Sequence, residues 1–127
     1  RLAPLLDENM LLASEGAAAE RLFTAAGYFE SLVTAESQSF GGDFTRAYGP
    51  DAPVLNSAGE SCYEGMRLLA ELLRAAGSAD VDSITARAEG VRYAGPRGEL
   101  TLRDGHVPQP IYLATPQQGE MEIITAL

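Results

Sequence analysis

Through the first ninety residues apolar positions recur mostly with helical spacing, and beyond them the period falls to two. Met10, Leu11 and Ala13 to Ala19 follow Asp7, which is placed to cap a helix over residues 8–19, with Glu8 and Asn9 in its first turn. Gly16 weakens that helix by up to about 1 kcal/mol relative to alanine. Arg21 to Ala25 has the pattern of a short buried strand, and Gly27-Tyr28-Phe29 opens a connection. Phe40, Phe44 and Tyr48, four residues apart, predict a helix over 35–48, capped by Thr34 or Ser37 and ended at Gly49-Pro50. Gly41-Gly42 inside it implies close packing against a neighbour. The strongest helical pattern covers 58–76, capped by Ser57 or Ser61 and stopped at Gly77. Its stripe of Cys62, Met66, Leu69 and Leu73, widened by Leu68 and Leu72, predicts that Cys62 and Met66 are turned into the core. A shorter helix over 81–89, capped by Asp80 or Asp82, would bury Ile84 and Ala88.

After residue 91 everything has strand character. A Gly95-Pro96-Arg97-Gly98 turn leads into Glu99 to Arg103, where Leu100 and Leu102 face one way and Thr101 and Arg103 the other. Asp104-Gly105 is placed to close a tight hairpin. Ile111 to Thr115 and Met121 to Thr125 predict a second hairpin around Gln117-Gln118-Gly119. The fold class is therefore α/β, with helices followed by antiparallel β-hairpins.

Composition narrows the functional classes. In 127 residues, 46% of them hydrophobic, there is material for one modest domain with a packed core. Eighteen acidic residues against nine basic ones give a formal charge of −9. A field of that sign repels nucleic acid and anionic lipid, and the arginines are scattered rather than clustered. One cysteine excludes an intrachain disulfide, and one histidine beside it makes a structural zinc site unexpected. No apolar run is long enough to span a bilayer, and no leader pattern is present. The chain opens at Arg1 without an initiator methionine, so a piece of a longer protein is expected.

Three residues are candidates for ligand contact. Asp7 and Glu8 stand where a strand would hand over to a helix, a place where carboxylates border crevices in open α/β folds. On the residues alone the plainer reading of this pair is an N-cap with a glutamate favoured by the helix dipole. Tyr28 after Gly27 could supply an aromatic wall with a phenol hydrogen bond, or simply pack a hinge. His106 lacks an orienting partner and a nucleophile, and Cys62 lies in an apolar stripe. No nucleophile elbow, phosphate-binding glycine loop or metal-ligand spacing occurs. No catalytic residue, cofactor or metal is expected, and the chain is read as a non-enzyme.

Several blocks, in order, resemble type I periplasmic-binding-fold receptors of the amide, urea and branched-chain amino-acid branch. The closest resemblance is to the amide-sensing negative regulator of aliphatic amidase operons. Ala19-Glu20-Arg21-Leu22-Phe23 is similar to the family's Ala-Glu-Gly-aliphatic strand, with Arg21 where glycine is usual. Tyr28-Phe29-Glu30-Ser31-Leu32 with Thr34, and Glu60 to Tyr63 with the helix after it, are similar to its Tyr-Phe-x-Ser and Glu-Ala-x-Tyr blocks. Tyr93 to Gly98 resembles its Asp-Ala-Pro-Gln-Gly-Pro turn, and His106 stands in for the histidine of a longer loop.

The resemblance implies the C-terminal portion of a two-lobed receptor. Residues 1–26 would end the second lobe and enter the hinge, 27–90 would return to the first lobe, and 91–127 would supply closing hairpins of the second. It implies an amide, urea or amino acid as ligand, with Asp7, Glu8 and Tyr28 bordering the cleft. Asp7-Glu8 in place of the usual Thr/Ser-Glu leaves the ligand open. Partners would be the remaining lobes and either an ABC permease, outside the cytoplasm, or a cytoplasmic regulatory protein. An alternative is a protein-interaction domain that kept the fold without the ligand. The isolated chain is expected to self-associate through Leu11, Leu12, Phe23, Phe29, Phe40 and Phe44.

Overall fold

A computed structural model describes residues 1–14 and 21–127. Helix α1 (Glu8–Ala13) begins as expected at Asp7, whose side chain accepts from the Met10 amide. Its expected continuation to residue 19 lies outside the described residues. Strand β1 (Thr24–Ala26) is shorter and later than the predicted 21–25. The reason is Arg21, held at φ 61°, a left-handed conformation that cannot continue a strand. Phe23 instead makes a parallel bridge to Leu2.

Helices α2 (Ala35–Tyr48), α3 (Ser57–Ala76) and α4 (Val81–Arg87) occupy the predicted ranges to within two residues. Thr34 and Asp80 cap α2 and α4. Helix α3 is capped by Asn56, not by Ser57 or Ser61, through a 2.9 Å bond from the Gly59 amide. Gly77 ends it in the left-handed conformation. Strands β2 (Arg92–Gly95) and β3 (Gly98–Thr101) form an antiparallel hairpin closed at Pro96-Arg97. Asp104-Gly105 makes only the small turn of one Arg103–His106 bridge, so the working hairpin turns earlier than that signal suggested. Strands β4 (Tyr112–Gln117) and β5 (Glu120–Ala126) pair across Gln118-Gly119, both at positive φ. β1 adds to β4 in the register Thr24↔Ala114, giving a three-stranded antiparallel sheet ordered β1-β4-β5.

Two packing units result. Around the sheet, Leu11, Phe29, Ala114 and Met121 form one core; Tyr28, Leu32 and Leu55 form a second beside it, against Phe40 and Phe44 of α2. Helix α3 packs on α4 and on β2, with Tyr93, Leu100 and Leu102 buried along that hairpin.

The inward face of α3 is not the predicted one. Met66 is 66% exposed, Leu69 is exposed and so is Cys62, whereas Glu60 and Glu64 are wholly buried. The glutamate face meets a buried arginine from the β2–β3 turn, and that ion pairing sets the rotation of the helix. Among the apolar residues expected at the surface, Leu12 and Phe23 are exposed, Phe40 and Phe44 are half-buried, and Leu11 and Phe29 are core.

Candidate ligand-binding site

Asp7 joins two helix starts. Its Oδ1 accepts from the Met10 amide at 2.9 Å, and its Oδ2 accepts from Asn56 Nδ2 at 2.8 Å. Since Asn56 also caps α3, the α1 and α3 N-termini share one hydrogen-bonded link. This is the plainer reading of Asp7, with a structural role added to it.

Glu8 behaves differently. It is only 7% exposed; Oε1 accepts from the Glu30 amide at 2.8 Å, while Oε2 has no hydrogen-bond partner among the described residues. Burial pushes its carboxyl above the usual value, partly opposed by the Glu30 and Glu8 amides and reinforced by Asp7 and Glu30. Glu8 lines a cleft of about 440 Å³ with Leu11, Glu30, Ser31, Glu120 and Met121. Burial also raises Glu30, with Glu120 adding to the effect. Those carboxylates make this wall an acceptor surface, suited to a ligand that brings N–H groups.

Val54 connects that cleft to a second, about 650 Å³, walled by Phe40, Phe44, Tyr48, Leu55 and Tyr63 with Asn9 and Asn56 at its rim. Tyr28 lines neither cleft. It is 1% exposed, edge-on to Phe40 at 6.3 Å, and it backs the aromatic row that continues to Tyr63 at 4.8 Å. Burial raises its phenol pKa, opposed by the nearby Ser37 hydroxyl and reinforced by Glu30, Glu60 and Glu8. The structure thus brings Asp7 and Glu8 to one helix start and places Tyr28 in the layer behind.

A third cluster was not anticipated. The Arg97 side chain, 3% exposed, lies between Glu60 and Glu64 at 2.8 and 2.9 Å. Two glutamates four residues apart on a helix read as a solvated face, and only a glycine-flanked arginine in a tight turn hinted at a buried partner.

This assembly of a small antiparallel sheet, a helical unit and a cleft at the α1 start is a recognised one. The chain matches the periplasmic binding proteins over residues 1–120 and belongs to that family. No curated protein sequence matches it. Among solved structures it is similar to an ABC-transporter solute-binding protein from R. palustris in complex with benzoate, at 23% identity and TM-score 0.78, covering 98% of this chain and 35% of that one. A solute-binding protein from Rhodopseudomonas palustris BisB5 in complex with 3,4-dihydroxybenzoic acid is 25% identical, with TM-score 0.77 and coverages of 99% and 36%. An amino-acid ABC transporter substrate-binding protein from Pseudomonas fluorescens Pf-5 is 19% identical, with TM-score 0.78 and coverages of 95% and 34%. The chain spans about a third of the length of these structures. The family it belongs to is one of binding proteins rather than enzymes.

Proposed function

We propose that this chain is the C-terminal portion of a two-lobed receptor that closes on a small polar molecule, an amide, urea or amino acid. The observation that carries this reading is the buried, unpartnered Glu8 Oε2 in the wall of a cleft. Such an oxygen costs about 1–3 kcal/mol unless something donates to it. An ammonium or amide N–H from a ligand supplies that donor. Asp7 frames the site through Asn56, and Tyr28 backs its aromatic wall. A substrate-binding component of an ABC transporter is the favoured role, since the solved relatives are named as such. A sensor like the amide-responsive amidase regulator rests on the sequence resemblance.

The resemblance assigns residues 1–26 to the end of the second lobe and hinge entry, 27–90 to the first lobe and 91–127 to closing hairpins of the second; we move the return to the second lobe to a point within 91–127. The packing of the β2–β3 hairpin on α3 supports a return after it, near Gln109. Aromatic acids, the ligands named for two relatives, would have to seat their carboxylate away from Glu8, Glu30 and Glu120. Calorimetry on the full-length protein with acetamide, urea, leucine and benzoate tests the proposal. Binding of an amide or amino acid that is lost in Glu8→Gln supports it; binding of benzoate alone, unchanged in that variant, overturns the ligand class.

A further inference from the structure

Arg97 has more partners than any other polar side chain described. Its Nε donates to Glu64 Oε2 at 3.1 Å, and its own amide donates to Glu64 Oε1 at 3.3 Å. Nη2 reaches Glu60 Oε2 at 2.8 Å and Ser61 Oγ at 3.2 Å. Nη1 donates to Gln109 Oε1 at 2.5 Å. The chain makes room for this: a Cβ on Gly27 would lie 2.5 Å from Nη1, and one on Gly95 would overlap Glu64. From the β2–β3 turn, one guanidinium thus bonds α3 and Gln109 and lies so close to Gly27 that a side chain there would clash with it, meeting both segments that lead into and out of the helical unit.

We propose that Arg97 is the positioning residue of the hinge, clasping the crossings at Gly27 and Gln109 to the start of α3, and that Glu60, the second buried carboxylate beside a single guanidinium, holds a proton. Naming those segments the crossings rests on the two-lobed reading; the clasp itself rests on the contacts. One guanidinium balances one carboxylate, and a second buried negative charge would be uncompensated. The other groups facing the cluster do not balance it. Tyr28 from the hinge segment and Tyr93 from β2 are phenols raised mainly by burial, with Glu60 adding to it at Tyr28 and both glutamates at Tyr93, and Gln109 and Ser61 are neutral. Glu60 accordingly has its carboxyl pushed up to about 8, by burial first and by Glu64, against the pull of Arg97. Above that pH the clasp carries two negative charges on one positive, and the crossings loosen.

Hydrogen exchange on the full-length protein, corrected for intrinsic rates, tests this between about pH 6.5 and about pH 9. Protection in residues 24–30 and 107–113 is expected to fall about tenfold across that range while the β4–β5 turn holds steady. Glu60→Gln should abolish the step. Arg97→Lys, which keeps the charge but not the fork, should expose both crossings at every pH. Should Arg97→Lys fail to fold, Gln109→Ala should expose residues 107–113 alone. Wild-type protection in Gln109→Ala, a pH step that survives Glu60→Gln, or a step shared equally by all segments would each overturn the clasp. No ligand enters the measurement, so a protein that shows the step but binds no small molecule disproves the receptor reading only.

Discussion

Single residues in this chain hold unusual positions for identifiable reasons. Arg21 sits at φ 61°, where a side chain costs about 1–2 kcal/mol relative to ordinary backbone. Glycine relieves that strain but brings more entropy to the unfolded chain, about 0.5–1 kcal/mol. Arg21→Gly is therefore expected to stabilise the fold by about 0.5–1 kcal/mol in urea denaturation; a loss would mean that the left-handed conformation is not strained. Glu8 gives a second prediction. Its raised carboxyl favours the protonated form, whereas a bound ammonium favours the carboxylate. Affinity for an amino acid should rise with pH through the Glu8 titration and release a proton, and Glu8→Gln should flatten the profile in calorimetry. At this scale the short-range signals were legible: Asp7, Thr34 and Asp80 cap the helices they were expected to cap. Glu60 and Glu64 were not, because their countercharge arrives from a residue 33 positions beyond Glu64.

Whole elements show the same division. Periodicity placed α2, α3 and α4, and the alternation of Leu100 and Leu102 gave the buried side of β3 correctly. It failed for the rotation of α3, since an apolar stripe shows only that some neighbour exists, not which side the rest of this chain occupies. The α1–α3 link was equally hidden, Asn56 being one polar residue among several before the helix. Asn56→Ala removes a cap worth about 1 kcal/mol and a charge-assisted bond to Asp7 worth about 1.5–3 kcal/mol. A loss of about 2–4 kcal/mol in chemical denaturation is expected. Asn56→Asp should keep the cap yet lose much of the stability, because it sets two carboxylates together. A neutral outcome for both would show that the two helix starts are held by packing alone.

At the scale of the molecule, charge and exposed surface decide behaviour. Glu60 has a folded value near 8 against an ordinary 4.5, so folding takes up a proton between those limits. The stability it contributes is complete below about pH 4.5 and declines as pH rises, until the loss levels off above about pH 8. Glu8 and Glu30 act in the same direction. Thermal melts should therefore show a falling Tm across that window, with a shallower slope in Glu60→Gln. Met66 and Leu69 form an exposed stripe on α3 that is left uncovered among the described residues. Light scattering on the isolated chain is expected to show self-association, relieved by Leu69→Glu; a monomer at all concentrations would mean that the stripe is too small to drive contact.

The sheet has a temporal consequence. Thr115 Oγ1 bonds the Leu22 carbonyl and Ser31 Oγ bonds the Met121 carbonyl, across 93 and 90 residues of chain. Closing so long a loop is slow compared with forming local helices, and contacts of this kind form late. During synthesis β1 is made well before β4, with α2, α3, α4 and the β2–β3 hairpin assembled in between. Leu11 and Phe29 gain the cover that β4 and β5 supply only after that interval. The cleft beside Glu8, walled in part by Glu120 and Met121, is among the last features of the molecule to come into existence.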